Sequence, residues 1–294
     1  MNKNSFVFIS FNTESGGRPH FDEYVKTLVT EKSPDVIAFQ EVHDATKTNA
    51  PRYFMPKDPG KRTHPLRLHL YSELKQILGD KYRSYYVPHL IGVHDLERCD
   101  FEGRYGQALF VHNRCQIEFF RSDFVYGRFN QFNTEHKNGK PAGKAAAGVS
   151  LIIPSGQRLI ASNVHGFWSR LGKVDMPERF EQNSGINHHL KRLKSYSTKD
   201  TFVLCVGDLN YRSDLKALED LRTQPMFGYD NGVILNHKFD LYITRTEHYA
   251  NVDKEPMADY AAACRNLADR AVSLKADLEA PSDHAAIIGR FIFD

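Results

Sequence analysis

Side chains that can bind a metal ion or move a proton recur at the ends of apolar runs in this sequence. The tripeptide Ser282-Asp283-His284 stands directly before the apolar run 285–288, a pattern typical of a buried strand. Asp208 and Asn210 follow the apolar run 202–206. Three further strand-like runs end in such a side chain: Asn12, Glu41 and His165. If these ends converge at one edge of a sheet, they form an acidic cleft that also carries two imidazoles.

This set of side chains suits the hydrolysis of a phosphoester. A carboxylate such as Glu41 can hold Mg²⁺, a hard cation that prefers oxygen ligands, and the ion would polarise the phosphoryl oxygens. A carboxylate–histidine pair can activate water, while amides and a second imidazole can stabilise the extra charge of the transition state. Neither Cys nor Ser lies in a recognisable nucleophile motif. Direct attack by water is therefore the simpler mechanism.

Alternating apolar runs and helical periodicities predict the elements that position these residues. Strands are predicted at 5–11, 35–41, 85–93, 107–112, 201–207, 258–264 and 285–293, with a hairpin over 149–165. Helices are predicted at 21–32, at 70–79, after a capping Asp175 and after a capping Ser213, and residues 45–69 are predicted as a long loop. Hairpins mixed with helices indicate two sheets packed face to face with helices outside. Because no linker or repeat interrupts the chain, one domain over residues 1–294 fits best.

Composition and charge narrow the class of protein without identifying a substrate. The net charge of +3 is compatible with a polyanionic partner but too weak to argue for one. The four cysteines form no CxxC pair, so a zinc site is not expected. No apolar stretch approaches the roughly 20 residues that span a bilayer, and the amino-terminal run lacks the features of a signal peptide. We expect a cytoplasmic protein without stable membrane insertion, and a monomer.

Seven short motifs follow one another along nearly the whole chain: Ser10-Phe-Asn12, Pro34-Asp-Val-Ile-Ala-Phe-Gln-Glu41, Tyr105-Gly-Gln-Ala-Leu-Phe, Asn163-Val-His165-Gly, Gly207-Asp208-Leu-Asn210, Ala258-Asp259-Tyr260 and Ser282-Asp283-His284. In this order they resemble the endonuclease/exonuclease/phosphatase superfamily, whose best-known fold is that of deoxyribonuclease I. The resemblance implies an α+β fold, a four-layer α-β-β-α sandwich of two packed mixed sheets with outer helices. It also implies cleavage of a phosphoester that depends on Mg²⁺ or Mn²⁺.

The resemblance further implies a role for each matched side chain. The metal side would be formed by Glu41, Asn12 and Asp283. The catalytic residues would be His165, Asp208, Asn210, Asp259 and His284, and the substrate-binding residues Tyr105, Asn163 and Asn210. Within these sets Asp208 resembles the acid that activates water, and His165 the group that stabilises the transition state. His284 resembles the imidazole on the base side, which Asp259 would orient.

Several assignments stay open on the sequence alone. Asp240 is a second candidate for the acid that orients His284. The basic residues between Arg52 and Arg67 could contact a nucleic-acid backbone or form a solvated loop. The aromatic pair Phe167-Trp168 could stack on a base or pack locally. Arg245 could lie near a phosphate. The pair His188-His189 is expected to lie on the surface and in the core of a helix rather than to bind a metal.

The sequence favours a metal-dependent phosphodiesterase that acts on nucleic acid. A phosphatase or phosphodiesterase acting on a small or lipid-derived phosphoester is the alternative, because the metal-site motifs are shared by all branches of the superfamily. A catalytically inactive module that binds phosphoesters is less favoured, since it would not need a metal ligand together with two imidazoles. The abasic-site endonucleases are disfavoured, because that branch carries Asn where this chain has His165.

Overall fold

The computed structural model describes residues 4–45, 50–55, 64–91, 103–131, 143–169, 171–197, 200–228, 231–246 and 256–293. The strands are β1 Ser5–Asn12, β2 Val36–Ala45, β3 Tyr53–Phe54, β4 Leu66–Arg67, β5 Tyr82–Ile91, β6 Gly103–His112, β7 Gln116–Tyr126, β8 Asn130–Gln131, β9 Lys144–Ile152, β10 Arg158–His165, β11 Thr201–Asp208, β12 Val233–Ile234, β13 Asp259–Ala263, β14 Ala271–Asp277 and β15 Ala286–Ile292. The helices are α1 Phe21–Lys32, α2 Leu70–Leu78, α3 Pro177–Lys194, α4 Lys216–Thr223, α5 Leu235–Lys238 and α6 Arg265–Ala268.

Two large sheets and a two-stranded ribbon account for the described strands. One sheet has seven strands in the order β14-β15-β1-β2-β6-β5-β8, and the other has six in the order β12-β13-β11-β10-β9-β7. The neighbours β1 and β2 run parallel, as do β10 and β11 and the pair β5 and β8, while the other neighbours run antiparallel. The sheets are therefore mixed, as the α+β interpretation predicts.

Three layers of apolar side chains separate the sheets and helices. Between the two sheets, Phe8 and Leu109 of the first sheet share a cluster with Leu204 of the second. Outside the first sheet, α1 and α2 bury Val25 and Leu74 against it. Outside the second sheet, helices α3 and α4 contribute a third cluster. These three interfaces define the α-β-β-α sandwich and confirm the predicted fold class.

Because side chains alternate along each strand, the polar residue at the strand end lies on the same face as the apolar residues of the inter-sheet core. On β1, Phe6 and Phe8 face the other sheet, and a period of two places Asn12 on the same face. On β11, Leu204 and Val206 lead in the same way to Asp208. The same periodicity that builds the core thus aims the chemically active side chains into the space between the sheets.

The structure differs from the predicted elements at two edge strands and two helix caps. The strands β7 and β14 were not predicted, and the predicted loop contains the ribbon β3–β4. Asp175 does not cap the helix that follows it, which begins after Met176. Its carboxylate instead accepts the free N–H groups of Lys216 and Ala217 at 3.1 and 2.9 Å, so it caps α4 in place of Ser213.

Among the described residues, no helix combines the length and the apolar character that crossing a bilayer requires.

Gly207 should be the residue least tolerant of a methyl group near the site, because it has a φ of 145° and an added Cβ would stand 1.9 Å from the carbonyl oxygen of Val164. We expect Gly207→Ala to lower the free energy of unfolding by at least about 2 kcal/mol in urea denaturation. Gly156→Ala is the control, since Gly156 also has a positive φ but has nothing within 4 Å of the added Cβ. Equal losses in the two variants would show that backbone strain alone, and not the close strand approach, requires glycine at Gly207.

Candidate functional site

The candidate site lies where β1 and β2 of one sheet end beside β10 and β11 of the other. A bulge in β2 shifts the register between Phe39 and Val42, and Glu41 takes a left-handed φ of 57° there. A bulge can re-aim a side chain, and this one lets both Gln40 and Glu41 serve the site. The Gln40 amide donates to Asn163 Oδ1 at 2.7 Å, linking the two sheets directly behind the cleft.

Asn163 acts as a tie between the sheets. Its amide nitrogen donates to the carbonyl oxygens of Phe39 and Ala108, at 3.0 and 3.1 Å, while its oxygen accepts from Gln40. The side chain is fully buried. Its hydrogen-bonding groups are thus engaged inside the sandwich, and the predicted role of Asn163 in substrate binding stays a prediction.

The side-chain amide of Asn12 contacts several of the predicted site residues at once. Its Nδ2 donates to Asp208 Oδ2 at 2.9 Å, and lies 3.4 Å from both Glu41 Oε1 and His284 Nε2. Its Oδ1 accepts the backbone N–H of Glu14 at 3.1 Å. One side chain thus contacts a predicted metal ligand, the predicted water-activating acid and the predicted imidazole, bringing residues from both sheets together.

The structure places Asp259, rather than Asp240, beside His284. Asp259 Oδ2 lies 2.8 Å from His284 Nδ1, and both side chains are buried. Asp240 is exposed, and its Oδ1 accepts a hydrogen bond from the Tyr242 hydroxyl at 3.4 Å. His284 Nε2 points toward Asp208 Oδ2 at 3.8 Å and Asp283 Oδ1 at 3.7 Å.

Three carboxylates control the charge of His284. Burial and the nearby Arg245 guanidinium both oppose a positive imidazole, but Asp259, Asp283 and Asp208 outweigh them and raise the pKa of His284 to about 9. His284 is therefore an imidazolium at neutral pH in the metal-free protein. Burial also raises the pKa of Asp259, against the lowering effect of the His284 charge.

Arg245 supplies the positive charge on the other side of Asp283. Its Nη1 donates to Asp283 Oδ2 at 2.5 Å, and a β-bridge joins Arg245 to His284. Burial lowers the pKa of Arg245, yet the surrounding carboxylates, led by Asp283, raise it overall. Arg245 Nε is buried and makes no hydrogen bond with any described residue. The suggestion from the sequence that Arg245 lies near a phosphate stays a prediction.

His165, Asn210 and Tyr105 lie on the second side of the cleft. Lys144 Nζ stands 3.5 Å from His165 Nε2, and burial lowers the pKa of Lys144 against the opposing effect of Glu41 and Asp208. The Tyr105 ring centroid lies 6.1 Å from that of His165. Asn210, in a left-handed conformation, donates its N–H to Asp208 Oδ1 at 3.0 Å and its amide to the Gly166 carbonyl at 3.5 Å.

Two residues of the site were missed by the sequence analysis. Lys144 heads the alanine-rich strand β9, and the criterion of a polar residue at a strand end would have found it had cations been included. Glu14 has no such signal, because it lies in a 3-10 turn after β1. Its Oε2 accepts the backbone N–H of Asp283 at 2.9 Å and contacts Arg18 Nε at 2.7 Å, so it fixes the loop that carries the last motif.

The donor set fits a divalent cation held by oxygen atoms. Within the described part of the chain, Asp208, Asp259 and His284 present ligand atoms within 4.8 Å of one another. Asp259 and His284, however, are engaged with each other through Nδ1. Glu41 Oε1 lies 3.4 Å from Asn12 Nδ2 in the same cleft, and the metal ligands expected from the sequence, Glu41, Asn12 and Asp283, stay a prediction.

The basic loop after Glu41 is partly neutralised by its own contacts. Arg67 Nη1 and Arg52 Nε donate to Asp22 and Glu73 at 2.5 and 2.6 Å respectively. The other basic residues of this run, Lys57, Lys61 and Arg62, lie outside the described residues. The pair His188-His189 has the expected structural role: His188 is exposed, and the buried His189 contacts Asp123 at 2.9 Å.

Comparison with known proteins identifies the family. The model of the Endonuclease/Exonuclease/phosphatase family matches residues 9–284, and the chain belongs to this family. Members of the family are phosphoester hydrolases and are generally metal-dependent. No curated protein matches the sequence in a direct search.

Solved structures with the same fold include distant family members. An endonuclease/exonuclease/phosphatase family protein from Leptotrichia buccalis superposes with a TM-score of 0.67 at 16% identity, covering 98% of this chain and 100% of that one. Truncated Caenorhabditis elegans TDP2 gives 0.58 at 16% identity, with 98% and 97% covered. The human Nocturnin catalytic domain with bound sulfate anion gives 0.61 at 15% identity, with 99% and 95% covered. At these identities the likeness shows the fold alone.

Glu14 should make the metal-free protein less stable as the pH rises. Burial and the neighbouring Asp283 raise its pKa from 4.5 to about 7, so the folded state holds this proton more tightly than the unfolded chain. The stabilisation is complete below pH 4.5 and is lost as the pH rises through 7, on the order of 3 kcal/mol in all.

Urea unfolding in EDTA at pH 4.5 and pH 7.5 should show this loss in the wild type and much less of it in Glu14→Gln. The matched control is Glu23→Gln, which removes an exposed acid from α1 and should keep the wild-type pH dependence. The same pH dependence in Glu14→Gln and wild type would contradict the assignment to Glu14.

Proposed function

We propose that the protein is a divalent-metal-dependent phosphodiesterase that hydrolyses nucleotide phosphodiester bonds by direct attack of water. The observation that supports it most is the contact of Asn12 with Glu41, Asp208 and His284, because it brings a metal ligand, an acid and an imidazole within reach of one phosphate. The proposal deepens the family assignment, which covers phosphoester hydrolysis in general.

Glu41, Asn12 and Asp283 would hold Mg²⁺ or Mn²⁺. When bound, the ion would polarise the phosphoryl oxygens and offset their negative charge. Glu14 keeps Asp283 in place through the Asp283 backbone N–H. Asn12 would act on the ion through a water molecule, because its Oδ1 accepts the Glu14 N–H and its Nδ2 donates to Asp208.

Asp208 and His284 handle the proton of the attacking water. Asp208 Oδ1 is held by the Asn210 N–H, which leaves Oδ2 facing His284 Nε2 at 3.8 Å. As the water oxygen forms its bond to phosphorus, its proton passes to Asp208, and the P–O bond to the leaving group breaks. Asp259 orients the imidazole through Nδ1 and so directs Nε2 at the reacting phosphate.

Cations and donors from both sides of the cleft stabilise the charge that builds up on the phosphate oxygens. Arg245 would offer its Nε–H, and Lys144 beside His165 would offer a second set of donors. The Asn210 side chain reaches the same region from the Gly166 side. Donors fixed in a buried site act strongly on a transition state because they need no reorganisation.

We further propose that the protein works in the cytoplasm as a monomer. Three cysteines of the described chain, Cys115, Cys205 and Cys264, are free thiols, which fits a reducing compartment.

Turnover should require a divalent ion and the acid–imidazole pair. We expect hydrolysis of bis-p-nitrophenyl phosphate with Mg²⁺ or Mn²⁺, its loss in EDTA, and a fall in kcat of about 10²- to 10⁴-fold in Asp208→Ala and in His284→Ala. Activity that survives EDTA, or that is unchanged in both variants, would contradict the metal-hydrolase proposal. No turnover by the wild type on a broad phosphoester panel with either ion would favour the inactive binding module.

Asp259 should act as a positioning residue and Asp240 should not. We expect Asp259→Asn to lower kcat by about 10-fold or more with little change in KM, because the amide keeps the shape but loses the charge that holds His284. Asp240→Asn removes an exposed acid with no link to the site and should keep the wild-type kcat and KM. Steady-state kinetics on both variants checks this. A similar fall in kcat in the two variants would contradict the assignment of Asp259.

A further inference from the structure

The loop that leaves the site after His165, residues 166–176, has its apolar and charged side chains in reversed positions. Trp168 is 52% exposed and Leu171 is 74% exposed, while Lys173 is buried. Large apolar side chains normally turn inward and cations outward. Within the described part of the loop, which omits Arg170, the exposed apolar side chains therefore look like a contact surface for a ligand.

Buried cations hold the backbone of this loop in place. The fully buried Arg179 of α3 donates to four carbonyl oxygens: Phe167, Gly172, Val174 and Asn210, at 3.4, 3.2, 2.8 and 2.7 Å. Lys173 Nζ donates to the Met257 carbonyl at 2.5 Å. Three of these carbonyls, those of Phe167, Gly172 and Val174, belong to the loop, and the Lys173 side chain is its fourth attachment. A loop fastened in this way presents its exposed side chains on a rigid support, and a preorganised side chain loses little freedom when a ligand binds.

The two aromatic residues of the loop face in opposite directions. Phe167 is 3% exposed, with its ring 4.8 Å from Tyr126 and the Arg179 guanidinium 5.8 Å above it. Trp168, by contrast, makes no ring or cation contact with the described residues. The sequence allowed both rings to pack locally, but the structure shows that Phe167 packs and that Trp168 turns to solvent.

Trp168 follows the end of β10 closely along the chain. It is three residues beyond His165, so the two Cα atoms are separated by at most about 10 Å. The phosphate would lie beside His165, and the organic group attached to that phosphate must leave the cleft past one of its rims. A flat, exposed indole at the rim matches the flat face of a nucleobase. All four nucleobases can stack on aromatic side chains, so this contact does not depend on which base is present.

We propose that Trp168 is a stacking platform for the nucleobase next to the scissile phosphodiester. This assignment rests on the proposed function and specifies the substrate class of the same site. A lipid surface is the less favoured occupant, because membrane-binding segments place exposed Lys or Arg beside their apolar residues, whereas Lys173, which is the basic residue of the loop that the structure describes, and the neighbouring Arg179 are both buried.

The first test uses the fluorescence of Trp168, which is the only tryptophan in the chain. Adenosine 5′-monophosphate should quench the emission saturably, while ribose 5-phosphate, which has the same phosphate and sugar but no base, should not. Equal responses to the two compounds, or no response to either, would overturn the proposal. A blue shift with phosphatidylcholine vesicles, without quenching by the nucleotide, would overturn it in favour of a lipid surface.

The second test measures the preference for a base during turnover. The substrates are a dinucleotide and the same molecule with one nucleoside replaced by its tetrahydrofuran analogue, which keeps the sugar ring and lacks the base. We expect Trp168→Ala to lower the ratio of kcat/KM for these substrates by about 5- to 150-fold. Trp168→Phe should keep most of the preference, and Trp168→Leu, which is apolar but has no ring, should lose it. An unchanged ratio in Trp168→Ala would overturn the proposal.

Val272→Ala is the matched control, because Val272 is 54% exposed on β14 and lies outside the site. It should keep the wild-type ratio. Failure of the proposed function is a separate result: hydrolysis of neither substrate with either divalent ion would contradict the phosphodiesterase, whereas the nucleotide titration decides the stacking platform without any turnover.

Discussion

The repulsion among buried carboxylates is the constraint on which the rest of the site depends. Asp208, Asp259 and Asp283 all lie around His284. Two like charges about 4 Å apart repel by roughly 4 kcal/mol at the effective dielectric of a protein. The structure offsets this with the imidazolium of His284, the guanidinium of Arg245 and the amide of Asn12. The geometry of the site therefore already depends on nearby positive charge. A divalent ion at Glu41 would add further positive charge to the same balance.

Much of this arrangement could be predicted because it follows from local patterns. The runs before Asn12 and Asp208 show the alternation of buried strands, and that alternation decides which face the polar residue takes. The strand β13 also formed where expected, although its sequence is rich in alanine, because Ala261 and Ala263 fit the narrow space between the sheets. The fold class needed only the number and order of such runs.

The features that escaped prediction depend on tertiary contacts. The strands β7 and β14 each lie at one edge of their sheet. Their half-exposed polar residues interrupt the alternation of apolar and polar residues by which a strand is recognised in the sequence. Glu14 lies in a 3-10 turn, where sequence spacing does not say what a side chain will meet. The choice between Asp240 and Asp259 needed the register of β13 on β11, in which Asp259 pairs with Asp208.

A shared anchor connects substrate recognition to the chemistry. The Nη1 atom of Arg179 donates both to the Phe167 carbonyl, next to Trp168, and to the carbonyl of Asn210, whose N–H holds Asp208. Because an uncompensated buried guanidinium is costly, neither carbonyl can move far without loss of its hydrogen bond. The platform at Trp168 and the acid at Asp208 are thus held at a fixed separation. A substrate whose base and phosphate match that separation would be positioned for attack by water without further movement of the protein.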